Sequence, residues 1–154
     1  MDVSDLRRAY AALAATARDG PFRDPAEHDW SASQVLAHVI ANDRLVCAVS
    51  ADLIDDGEPS FDNETAHRLT VLDAIAASAG DLDALVGAVE RQGREVCALM
   101  ELMGPDIAER RVTVSLVDDG EVRMQGPVAW TSMMEIHVTR HLPGHSEQIR
   151  ALRA

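Results

Sequence analysis

The chain has 154 residues, enough for one domain with one sizeable core. Its 26 acidic residues against 14 basic ones give a net charge of −12, which opposes phosphate backbones and anionic lipid surfaces. The expectation is therefore a protein that binds neither nucleic acid nor membrane. Aromatic residues are only 3 %, so Leu, Val, Ile, Met and Ala must fill the core, which favours close-packed helices over a β-sandwich.

Residues 3–18 place Val3, Leu6, Tyr10, Leu13 and Ala17 at helical spacing, and Gly20-Pro21 ends the run. Acids near the start and the lack of a continuous apolar stretch argue against a signal peptide, and no stretch approaches the roughly 20 apolar residues of a membrane span. A cytoplasmic location is expected. Residues 19–30 form a loop. Ser31 caps a second helix, with Gln34 completing a capping box and Trp30 and Val35 suited to a hydrophobic staple. That helix runs to about Ile54, where Asp55-Asp56-Gly57 and Pro59 stop it.

A shorter helix is predicted over 64–78 and is broken by Gly80. Asp81 caps a long helix through Met103, with Gly93 on its buried stripe allowing a close helix approach. In 111–125, Val112, Val114 and Leu116 alternate with polar residues, and Asp119-Gly120 signals a hairpin turn. This segment reads as a small β-hairpin or extended excursion. A last helix follows from about 128 to 152. Residues 1–154 thus form a single all-α domain, a four-helix bundle with one small extended insertion, and such bundles carry metal ligands on inward faces. Cys47 and Cys97 both lie in helical apolar patterns and read as buried reduced thiols.

Six histidines are present. His28, in a polar loop, and His67, near the start of the weak helix, read as surface residues. His38 lies two turns into the second helix on an apolar side, with Asn42 one turn later. His137, His141 and His145 are spaced by four, which stacks neighbours on one helix face. Two imidazoles one turn apart can bind one divalent ion, and a third from another helix leaves an open coordination position. Pro143-Gly144 interrupts the run. If the helix bends and continues, His141 and His145 converge. If it stops near Leu142, the unbroken pair is His137 and His141. Spacing alone leaves both pairs open.

Trp30-Ser31 followed by Val35-Leu36-Ala37-His38, together with His141-x-x-x-His145 and Gln148-Ile149, resembles the DinB-like superfamily of bundle metalloproteins. The extended segment before the last helix resembles the mycothiol-dependent maleylpyruvate isomerase branch, over its metal-binding domain only. The resemblance implies an up-down-down-up bundle, often a homodimer. It implies zinc or nickel held by His38, His141 and His145, with His137 in reserve. The implied function is a transferase or isomerase acting on small electrophiles, with a small thiol such as mycothiol as co-substrate. Asn42 and Gln148 are candidates to position substrate or a ligand. A metal-dependent hydrolase, or a non-catalytic metal- or small-molecule-binding bundle with a stress-related role, are the alternatives.

Overall fold

The computed structural model describes residues 3–118 and 120–154. It is mostly helical, with a small three-stranded sheet. Helix α1 (Val3–Arg18) packs on α4 (Leu82–Leu102) and α7 (Leu142–Ala151). Helix α2 (Ala32–Ile54) packs on α4 and on α3 (Leu69–Ala79). Leu6, Leu13, Leu36, Leu53, Leu85 and Ile149 bury their side chains almost completely between these helices. No helix among the described residues is long and apolar enough to cross a membrane.

The start of α2 follows from local chemistry. Ser31 Oγ accepts from the Gln34 amide at 3.2 Å, and Gln34 Oε1 accepts from the Ser31 amide at 2.9 Å. Both bonds satisfy backbone donors that the first helical turn leaves orphaned. This fixes where the helix begins, and so where His38 sits along it.

The sheet is larger than the sequence suggests. Strands β2 (Arg111–Asp118) and β3 (Glu121–Ala129) form the expected antiparallel hairpin, with a register shift between Leu116 and Val117. Its turn signal falls partly on Asp119, which lies outside the described residues. The hairpin runs to Ala129, so the last helix begins at Trp130 rather than near 128. A third strand, β1 (Ser60–Asp62), pairs in parallel with β2 and buries Phe61. Three residues carry too little periodicity to announce a strand; pairing with β2 creates it. A 3₁₀ turn at Glu64–His67 separates β1 from α3, so α3 begins at Leu69 and not at 64. A single helical turn, α5 (Pro105–Ala108), links α4 to β2.

The C-terminal rod is α6 (Trp130–Ile136), a π-helical turn at His137–His141, then α7. Trp130 anchors its entry: the ring is fully buried and Nε1 donates to Ser50 Oγ on α2 at 3.1 Å. The chain stays helical through Pro143, so the first of the two alternatives holds. The reason is the π turn. The Leu142 amide bonds the His137 carbonyl, five residues back, and Pro143 then falls at the opening of α7, where a missing N–H is tolerated. Hydroxyls serve carbonyls on both sides of it: Thr139 Oγ1 donates to Glu135 O at 2.7 Å, and Ser146 Oγ to Leu142 O at 3.0 Å.

Removing the α2 cap with Ser31→Ala is expected to destabilise the protein by about 1 kcal/mol. Urea denaturation monitored by circular dichroism measures it, and an unchanged midpoint would show the capping box is dispensable.

Candidate metal centre

An open cleft of about 1180 Å³ lies between α2, the hairpin and the C-terminal rod, and all six histidines line it. His38, His141 and His145 each direct one ring nitrogen to a shared region in which the three atoms lie within 4.8 Å of one another. His38 Nε2 and His141 Nε2 are 3.1 Å apart. Two nitrogens at zinc-bond lengths with a tetrahedral angle between them would be about 3.3 Å apart. The spacing therefore fits a small divalent cation.

The π turn stacks His137 on His141. In an α-helix, residues four apart drift by about 40° around the axis at each step. A π turn takes more residues and offsets that drift. His137 and His141 stack at 4.9 Å with 25° between planes, and His141 and His145 meet edge-on at 4.5 Å.

Two ligand candidates are held by hydrogen bonds that set their tautomers. His38 Nδ1 donates to the Ala66 carbonyl at 2.8 Å, so Nε2 carries the lone pair. That carbonyl is itself positioned by the sheet. Asn63 Oδ1 accepts from the Val117 amide at 2.7 Å, and its Nδ2 donates to Val117 O at 3.1 Å. The 3₁₀ turn that presents Ala66 is thereby pinned to β2. On α7, His145 Nδ1 lies 3.0 Å from Gln148 Oε1 and donates to it. Of the two roles considered for Gln148, the structure gives it the orienting of a histidine. Asn42 is buried in the cleft wall.

The third histidine differs. His141 Nδ1 is buried with no hydrogen-bond partner. Buried polar atoms are rarely left so, and when they are, a water or ion outside the chain commonly satisfies the site. Unlike the rings of His38 and His145, that of His141 has no bond at Nδ1 to set its orientation.

His137 does not join the group. Its Nε2 lies 3.0 Å from Tyr10 Oη and 3.3 Å from Asp43 Oδ1. Tyr10 donates to Asp43 Oδ2 at 2.8 Å. The reserve role read for His137 is thus replaced by membership of a second buried polar cluster. Sequence reading missed Asp43 because helical position alone does not show that a carboxylate is wholly enclosed.

His67 is also misread as a surface residue. Its ring meets His38 at 4.6 Å and Trp30 at 5.6 Å, and the Asn63 amide donates to its Nε2 at 3.1 Å. Because Val117 N–H must face Asn63 Oδ1, the amide nitrogen faces His67, and Nε2 of His67 is an acceptor. Trp30 lies 5.0 Å from His38, so the tryptophan before the cap forms part of the cleft wall. His28 is at the cleft rim and 90 % exposed.

Desolvation dominates the electrostatics. Burial lowers His38 and His137 to about 3, and lowers His141 well below the ordinary value. All three are neutral at pH 7, the form that offers a lone pair. Burial lifts Asp43 to about 8, against a smaller lowering by the Tyr10 hydroxyl. Cys47 is pushed up to about 11 by burial, and Cys97 is raised for the same reason. Both stay protonated thiols, and neither lines the cleft.

No protein-family model matches this chain, and no curated protein or solved structure is significantly similar to it.

The shifts give opposed pH limbs for the metal-free protein. Histidines lowered on folding are charged first in the unfolded chain, so their contribution is full above the unfolded value near 6.5 and is lost as pH falls toward about 3. Asp43 is raised on folding, so its contribution is full below about 4 and is lost as pH rises through about 8. Asp43→Asn is expected to abolish the alkaline limb and leave the acidic one. Urea midpoints from pH 4 to 9 measure this, and an unaltered alkaline slope in the variant would contradict it.

Proposed function

We propose that this chain is a DinB-like four-helix metalloprotein that uses a divalent ion and a small thiol to transform an electrophile. The observation that supports it most is the convergence of His38, His141 and His145 on one region of an open cleft, two of them with tautomers set by hydrogen bonds. Three neutral imidazoles form the donor set of a site that keeps a position open for a ligand. Zinc or nickel suits nitrogen ligands of this kind. A divalent ion held there supplies a positive charge that favours thiolate over thiol at neutral pH.

The remaining work falls to the protein. The imidazoles are neutral and bring no competing protons into the site. Ala66 O and Gln148 Oε1 hold two rings in the tautomer that leaves Nε2 free. Trp30 and the hairpin residues Leu116 and Met124 give the open cleft apolar wall surface for an electrophile. Asn42 offers an amide for orienting substrate. The protein's own thiols are protonated and away from the cleft, so the nucleophilic sulfur must come from a diffusible molecule. Mycothiol-type thiols and a homodimeric assembly are the finer parts of this reading and rest on the motif resemblance.

Metal is expected to stabilise wild-type protein, by about 2.7 kcal/mol at a hundred times its Kd. His38→Ala should abolish that metal-dependent rise in Tm, and His28→Ala should keep it. Thermal melts with chelator or with added zinc decide the point, and equal metal-dependent shifts in His38→Ala and wild type would remove His38 from the site. Thiol consumption with a panel of small electrophiles then tests the chemistry. Turnover that disappears with chelator supports the enzyme, and metal uptake without any turnover leaves a binding module.

A further inference from the structure

The three candidate ligands are not held alike. His38 is fixed by a backbone carbonyl and His145 by an amide oxygen, while His141 has no bond at Nδ1. His141 Nε2 meets His38 Nε2 at 3.1 Å, but on its Nδ1 side the ring is oriented by packing alone, and its near-parallel neighbour is His137, 4.9 Å away at 25°. His137 Nε2 is hydrogen-bonded to Tyr10 Oη at 3.0 Å, and Asp43 Oδ1, which has no hydrogen-bond partner, lies 3.3 Å away. Tyr10 is in turn fixed from behind. Its ring lies so close to Gly93 of α4 that a Cβ there would come 2.6 Å from Cγ. Gly93 thus seats the tyrosine, the tyrosine, itself bonded to Asp43, holds His137, and His137 backs His141.

We propose that Tyr10, Asp43 and His137 are positioning residues for His141, a relay running from α4 through α1 and α2 to the π turn. The proposal rests on reading the three imidazoles as metal ligands. Its energetics argue against a purely structural cluster. Tyr10, Asp43 and His137 are buried to 5 %, 0 % and 4 % exposure, and enclosing a carboxylate and an imidazole costs stability that apolar side chains of the same volume would not. What the polar cluster provides and an apolar one lacks is direction. The hydrogen bond with Tyr10 fixes the rotation of the His137 ring, and that ring stacks against His141. Groups outside the ligand shell that orient ligands commonly change metal affinity 10- to 100-fold when removed.

The test uses the full chain and cobalt(II) as the probe, with affinity measured by chelator competition and geometry by the visible d–d absorption. Near-ultraviolet circular dichroism confirms that each variant is folded at the temperature used. His137→Ala is expected to weaken cobalt binding about 10-fold or more and to shift the d–d bands. His137→Phe keeps a flat ring against His141 and should recover part of the loss. Tyr10→Phe removes one oxygen and leaves the packing against Gly93, so it should weaken binding while remaining folded. Asp43→Asn provides the same reading if Tyr10→Phe does not fold. Folded Tyr10→Phe or Asp43→Asn with wild-type affinity and spectrum would overturn the relay while leaving the metal site intact. Failure of wild type itself to take up cobalt would overturn the metal reading and the relay with it.

Discussion

The wide turn at His137–His141 is the constraint on which the site depends. An unbroken α-helix would carry His137, His141 and His145 progressively around its axis. A proline inside such a helix would remove a hydrogen bond and press on the preceding turn. One π turn addresses both. It redirects the ladder so that Leu142 bonds His137, places Pro143 at a helix opening, and stacks His137 on His141, while His141 and His145 meet across the first turn of α7. Irregular turns of this kind cost hydrogen-bond geometry and concentrate at functional sites. The Thr139 and Ser146 hydroxyls bond backbone carbonyls on either side of it.

The sheet and the helices divide the labour around that turn. The sheet holds a carbonyl: β1 pairs with β2, Asn63 clamps Val117, and Ala66 O is presented to His38. The helices hold rings: Gly93 admits Tyr10, and Tyr10, bonded to Asp43, holds His137 against His141. Both routes spend stability on polar groups inside the core. In return, neutral imidazoles are held at fixed orientations beside a cleft open to solvent. The two cysteines take no part, because burial keeps their sulfurs protonated.

Much of this was legible in the residues. Apolar periodicity marks α1, α2 and α4 within a residue or two, and Ser31-x-x-Gln34 marks the start of α2 to the residue. The alternation of Val112, Val114 and Leu116 marks the hairpin. Three features were not legible, each for a physical reason. Strand β1 exists through pairing with a segment 53 positions further along the chain, which no local pattern encodes. His67 looks like a surface residue because its partial cover comes from Trp30 and His38, on other elements. Asp43 is one acid among 26, and only the approach of Tyr10 and His137 distinguishes it. Pro143 was the one local clue to the π turn, and it left two outcomes open that backbone bonding then separated.

X-ray absorption at the metal edge of zinc-loaded protein tests the convergence most directly. The expected spectrum has an inner shell of light atoms at about 2.0–2.1 Å, with the multiple scattering of three imidazoles. A shell with one imidazole or none, or with sulfur at about 2.3 Å from a cysteine, would mean that His38, His141 and His145 do not act together.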